Sequence, residues 1–222
     1  MANDNNFNEI LENLYDEMEA VYLNDNRPWI LGYSGGKDSS LMAVILDKLG
    51  YDVELITVNF GIFDSTKPAV ESAKSLGFNH KILKLDEKIL TDAVDMIIED
   101  KFPNNGINHI HHSVLEILAD EYDVIADGTR REDRIPKMKF SEIQSLEDRK
   151  NIQYINLTGI GYKTINDVSD NLFTLQKAES NIHNSSDYEM EIRVLLEQRG
   201  YNTDEIFPRH IQSRVIGWNK NE

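Results

Sequence analysis

The sequence predicts an α/β protein, a doubly wound parallel sheet of about five strands with an N-terminal helix and a small C-terminal extension. Three observations carry that reading. Strand-like and helix-like segments alternate from Trp29 to Phe173; a glycine pair opens the first turn from strand to helix; and 222 residues, 40% hydrophobic and 28% charged, suit one main folded unit.

Ile10, Leu11, Leu14, Met18, Val21 and Tyr22 recur at three- and four-residue spacing, which predicts an amphipathic helix over 7–23 that Asn24 to Pro28 breaks. Trp29 to Tyr33 is a short apolar run, a strand that enters the glycine pair. Leu41 to Leu49 has helical spacing and stops at Gly50. The pattern repeats with strands at Val53 to Phe60 and His80 to Leu85, and helices at Lys67 to Leu76 and Ile89 to Ile98. After the loop from Phe102 to Gly106 come a helix at His109 to Glu121 and a strand at Tyr122 to Ala126 ending in Asp127 and Gly128. Ser141 to Arg149, Ile152 to Leu157 and Thr164 to Leu172 read as helix, strand and helix. Strands separated by helices pair in parallel, with right-handed crossovers covering both faces. Residues 174–186 are polar and read as a loop or linker; Asp187 to Gln198 is a helix stopped by Gly200. Two regions follow, 1–173 as the main domain and 174–222 as an extension packing on or near the active site.

Composition narrows the chemistry. Cysteine is absent, which excludes disulfides, cysteine-held iron-sulfur or zinc sites, and a persulfide on this chain. The formal charge of −16 repels polyanions on average, so tRNA is disfavoured as a partner and a small-molecule acceptor is favoured. No apolar run approaches the roughly 20 residues of a membrane helix, and the opening MANDNNFNEI lacks the basic and apolar regions of a secretory signal. A cytoplasmic protein without a membrane partner is expected, and association as a homodimer is left open.

Ligands of open α/β sheets bind beyond the carboxyl ends of the strands, where a glycine turn points backbone N–H groups and a helix dipole at a phosphate. Ser34 to Ser40, SGGKDSS, sits there. Gly35 and Gly36 permit close backbone approach, Ser34, Ser39 and Ser40 offer hydroxyls, Lys37 adds charge, and Asp38 suits a divalent cation. A Walker A loop would need glycine at Leu31 and a hydroxyl residue at Asp38, and Ser34 and Lys37 spoil GxGxxG.

SGGKDS directly after a strand instead resembles the PP-loop of ATP pyrophosphatases, the class of GMP and NAD synthetases, lysidine synthetase and tRNA-thiolating enzymes. The resemblance spans about Trp29 to Lys163. It implies ATP and magnesium as cofactors, adenine against backbone groups at Val58, Asn59 and Phe60, and a glycine and acidic element at Asp127, Gly128, Thr129 and Arg130, with Glu132 and Asp133 as the neighbouring acids. Lys163 becomes a further phosphate ligand. Asp38, Lys37 and Asp133 are implied as catalytic, with Asp38 and Asp133 holding magnesium. The reaction implied is adenylation of an acceptor oxygen with release of pyrophosphate, then displacement of AMP, with nitrogen favoured as the nucleophile. Alternatives are sulfur insertion into tRNA from external sulfide and an ATP-binding protein without turnover.

Three other features stand out. Arg130, Arg131, Arg134, Lys137 and Lys139 gather positive charge in an acidic chain, either to meet an anion or as a solvated face paired with Glu132, Glu142 and Glu147. His109, His111 and His112 begin the predicted helix before Asp127, as packing groups, a metal site through His109 and His112, a substrate contact or a general base. The tail carrying Arg209, His210, Gln212, Ser213 and Arg214 either folds over the site or forms a packed edge strand.

Overall fold

Five parallel strands form one sheet in the order β3-β2-β1-β4-β5. They are β1 (Trp29–Gly32), β2 (Val53–Asn59), β3 (His80–Lys84), β4 (Val124–Arg130) and β5 (Gln153–Leu157). The structure is a computed structural model that describes residues 29–130, 132–185 and 187–219, with Glu12 and Asp16 besides. Apart from Glu12 and Asp16, which are helical, the helix expected over 7–23 lies outside the described residues. So does Arg131.

β1 and the middles of β2, β4 and β5 are largely apolar because both faces are buried there, while the edge strand β3 carries His80, Lys81 and Lys84 and is part-exposed. Trp29, Leu31, Leu55, Val124, Ala126, Ile155 and Leu157 face a core shared with α1 (Lys37–Lys48), α2 (Lys67–Leu76) and α6 (Tyr162–Leu172). The alternate residues Ile30, Ile56, Ile125 and Tyr154 face α4 (Asn104–Leu118) and α5 (Phe140–Lys150). A third cluster joins the end of β2, through Val58 and Phe60, to α3 (Glu87–Asp100), α4 and α7 (Asp187–Gln198). A last short helix is α8 (Thr203–Ile206). Among the described residues no helix is long and apolar enough to cross a membrane.

Two expectations are corrected. Residues 174–179 are not loop: β6 (Phe173–Glu179) pairs antiparallel with β7 (Ile211–Trp218), and the expected loop is confined to 180–185. The segment is polar because most of β6 is exposed, so it lacks the apolar signature of the main sheet. The helix expected from His109 begins at Asn104, so the three histidines lie within α4 rather than at its start. Gly106 belongs to that helix because the helices touch there; a Cβ on it would stand 2.5 Å from the carbonyl oxygen of Ala93 on α3.

Candidate active site

The chain order reverses between β1 and β4, since β2 and β3 lie to one side of β1 and β4 and β5 to the other. At such a switch point the loops leave the carboxyl edge in opposite directions and open a crevice. Ser34 to Gly36 crosses it into α1. Gly35 holds φ at 75°, and a Cβ there would lie 2.9 Å from the Cα of Ala69, so glycine is required twice over. Across the crevice, a Cβ on Gly128 would lie 2.5 Å from the backbone nitrogen of Ser39. Glycine on β4 therefore lets the first turn of α1 settle against the strand.

The serines divide. Ser34 Oγ and Ser39 Oγ lie 3.2 Å apart, and the Gly36 N–H donates to Ser34 Oγ at 3.3 Å, which shapes the turn from inside. Ser40 instead faces the core, 2.9 Å from the Tyr33 hydroxyl, which also meets Ser72 at 2.7 Å. Its hydroxyl stiffens the strand-to-helix junction rather than lining the crevice. Gly36 caps α1 without a side-chain hydrogen bond, leaving the helix N-terminus to an outside acceptor.

Charged groups gather at this opening. Lys37 Nζ donates to Asp38 at 2.6 Å, and Arg130 Nε lies 3.5 Å from the other Asp38 oxygen. Arg130 also donates to Asp133 at 2.6 Å and 3.0 Å through its guanidinium and at 2.7 Å through its backbone. Tyr162 lies under both cations, 5.2 Å from Arg130 and 5.9 Å from Lys37. Thus Asp38, Lys37, Arg130 and Asp133 come together at the ends of the neighbouring strands β1 and β4, from segments far apart in the chain. Thr129 is buried, with its N–H on Asp127 at 2.8 Å. Lys163 is exposed on the first turn of α6. Further along the basic stretch, the Lys137 N–H donates to Asn108 at 3.0 Å and the Lys139 N–H to Glu142 at 2.7 Å.

Behind Gly128 lies a buried polar group. Asp127 accepts from the Tyr154 hydroxyl at 2.5 Å, and His111 Nε2 stands 3.3 Å from the same carboxylate without hydrogen-bond geometry. Burial pushes the His111 imidazole below its ordinary value despite Asp127, so it is neutral near pH 7. The same burial, reinforced by Asp127, pushes the Tyr154 phenol well up. His112 lines a separate cleft of about 370 Å³ between α4 and α5, with Glu116, Ser141 and Arg149.

Val58 is paired within the sheet and buried. The Asn59 carbonyl accepts from the Leu85 N–H at 2.9 Å, and the Asn59 side chain donates to Phe63 O at 2.9 Å. The Phe60 N–H donates to both oxygens of Glu191, at 3.0 Å and 3.2 Å. Glu191, on α7, also takes the N–H groups of Ile62 and Phe63 and the Ser65 hydroxyl. Nothing in the sequence marked it, because its partners lie far away in the chain; a buried position for glutamate is the structural signal. Tyr162 was likewise missed. In the tail β7 is a packed strand, and its Val215 N–H donates to Gly35 O at 3.0 Å.

A glycine turn at the switch point, an open helix N-terminus and oxygen ligands at Asp38 fit a magnesium-bound nucleotide, and the fold with this loop is that of the PP-loop ATP pyrophosphatase superfamily. The chain belongs to DUF7411, a family of unknown function, matched over residues 29–217. It is 57% identical to the uncharacterized protein MJ0690 of Methanocaldococcus jannaschii over 189 residues, covering 85% of this chain and 94% of that one. A crystal structure of a predicted subunit of tRNA methyltransferase from the same organism superposes with a TM-score of 0.81 at 55% identity, over 88% of this chain and 100% of that one. The NAD synthetase of Campylobacter jejuni shares the fold at a TM-score of 0.52 and 15% identity, over 74% and 72% of the two chains. The U34-tRNA thiolase NcsA of Methanococcus maripaludis does so at 0.50 and 17%, over 72% and 62%.

Proposed function

We propose that this protein adenylates an acceptor with ATP, releasing pyrophosphate, and that a nitrogen nucleophile then displaces AMP. The observation that carries the reading is the N-terminus of α1, which opens without a side-chain cap at the switch point and is seated by Gly128. Backbone N–H groups of Gly35 to Ser39, with Ser34, Ser39 and Lys37, cradle the phosphates, and the base lies towards Val58 to Phe60. Gly128, Thr129 and Arg130 wall the other side, and Lys163 reaches in from α6. An acceptor oxygen attacks the α-phosphorus, the bond to the bridging oxygen of the β-phosphate breaks, and pyrophosphate leaves into donors already aligned for its charge. Asp38 and Asp133 would hold magnesium, which neutralises phosphate charge. Among the described residues no three His, Asp or Glu side chains cluster to hold a metal, so phosphate and water oxygens would complete the shell. Residues 174–222 are read as an extension packing on or near this site.

A second reading, insertion of external sulfide into tRNA, is supported by the tRNA methyltransferase subunit and the tRNA thiolase among the relatives. Two facts weigh against it. No cysteine is available to relay sulfur or to hold a cluster such as the thiolase's [4Fe-4S], and the charge of −16 opposes a polyanion. The test supplies ATP and magnesium with ammonium or sulfide, offers bulk tRNA or metabolite pools, and follows pyrophosphate and product masses. An ammonium-dependent product supports the first reading. Thiolated tRNA with sulfide alone replaces it by the second, and ATP binding without turnover in any pool leaves only a nucleotide-binding protein.

A further inference from the structure

β7 lies between β6 and the glycine turn. Arg214 faces Gln176 of β6 on one side and bridges to Gly36 on the other, and the next residue, Val215, donates to Gly35 O. The phosphate turn thus has a backbone partner strand. Val215 points into the core beside Tyr33 and Ala69. Successive side chains of a strand alternate, so Arg214 projects from the opposite face.

The Arg214 side chain runs towards the segment that follows β6. Its guanidinium reaches Asn184 Oδ1 at 3.5 Å, a weak contact, and the neighbouring His183 ring lies 6.3 Å from Phe63, just beyond β2. Arg214 is half-buried, and burial lowers its guanidinium below the ordinary value, with Glu71 opposing that only through its longer-range charge. Among the described residues it makes no ion pair. Contrast Arg130, whose burial is answered by Asp133 and Asp38. A desolvated guanidinium without a carboxylate is costly, unless an anion arrives to complete it.

Resting on the ATP reading above, we infer that Arg214 is a phosphate-binding residue carried to the glycine turn by the C-terminal strand, and that it grips the β- and γ-phosphates, the part that leaves as pyrophosphate. The fork of its guanidinium suits bidentate contact with two phosphate oxygens. It adds cationic charge where Lys37 and Arg130 are already neutralised by Asp38 and Asp133. Arg214 therefore discriminates by length of the phosphate chain rather than by the base.

Calorimetry with magnesium and ATP, AMP or inorganic pyrophosphate separates this from a structural role. In Arg214→Gln, affinity for ATP and pyrophosphate should fall about ten-fold or more while AMP affinity stays within about two-fold. Arg214→Lys, which retains the charge and the strand, should recover part of the loss. Equal loss for ATP and AMP, or no loss for either, overturns the inference. Gly36→Val is the control for the site itself: side-chain atoms there intrude on the turn, 3.2 Å from Ser34 Oγ at the Cβ alone, and should abolish ATP binding. Unchanged ATP affinity in a folded Gly36→Val protein would remove the ATP reading. Arg214-dependent pyrophosphate binding would then still stand on its own.

Discussion

Glu191 of α7 holds the backbone of Phe60 in a two-pronged grip, the N–H lying 3.0 Å and 3.2 Å from its two carboxylate oxygens. Ile62, Phe63 and Ser65 turn towards the same group, so one side chain from the extension sets the course of the chain where β2 ends. Burial pushes the Glu191 carboxyl up, and the four donors pull it back towards the charged form.

Glu191→Ala should therefore lower stability by about 1–3 kcal/mol, because it strands buried N–H donors, and should weaken ATP binding through the displaced loop. Glu191→Gln keeps one acceptor oxygen and should lose less on both counts. Denaturant unfolding and nucleotide titration of the two variants check this. Equal ATP affinity in wild type and Glu191→Ala would mean the loop after β2 does not take part in the site.

Gly128→Ala places a methyl 2.5 Å from the Ser39 nitrogen, and the first turn of α1 has to move. The contact is with backbone, which yields less readily than a side-chain end. A cost of about 1–3 kcal/mol is expected, with a larger proportional loss of ATP affinity because the phosphate donors shift. A melting temperature and an affinity both equal to wild type would show that α1 can stand off β4 freely.

Asp38→Asn should reduce turnover far more than stability. Its partners Lys37 and Arg130 form part-exposed pairs, whose removal costs about 0–1 kcal/mol. The charge it gives to a bound cation is felt only in the reaction. Pyrophosphate release and thermal unfolding measured on the same sample decide the matter. A large fall in melting temperature with unchanged specific activity would make Asp38 structural.

His111 gives a pH signature. Its folded value is depressed below 6.5, so as pH falls past 6.5 the unfolded chain takes up a proton that the folded chain refuses. The stability it allows is fully present above the unfolded value and is lost as pH drops towards the folded one. Comparing unfolding at about pH 7.5 and about pH 5.5 in wild type and His111→Gln isolates this group, since shared titrations cancel in the difference. The variant should lose less stability on acidification. An equal loss, or a His111 ring titrating at its ordinary value by NMR, would contradict the neutral assignment.

Much of the sheet was legible because its central strands carry buried apolar runs and several helices stop at or next to a glycine. The helix Lys67–Leu76 runs as its spacing predicts and stops at Gly77, whose φ of 85° suits a glycine C-cap. The phosphate turn was legible for a similar reason, since only particular residues fit a turn whose backbone passes so close to Ala69. Phe173–Glu179 escaped because an exposed two-stranded ribbon has little apolar pattern to show. Gly106 resembled a loop residue because the carbonyl it makes room for belongs to another helix. At the site, Lys37 and Asp38 were plain from the motif. Their coupling through Arg130 to Asp133, the inward turn of Ser40 and the reach of Glu191 to Phe60 depend on tertiary packing and leave no local trace.

The bridge between Gly36 and Arg214 bears on how the protein is made. All of β2 to β5 is threaded between these two residues, so the contact has very high sequence separation and carries a correspondingly large loop-closure entropy. As the chain emerges from a ribosome, the glycine turn appears early and waits, its flank bare, until β7 arrives. Nucleotide competence should therefore be acquired only once β7 has been made, and a nascent chain halted before Ser213 would expose the turn without its partner strand.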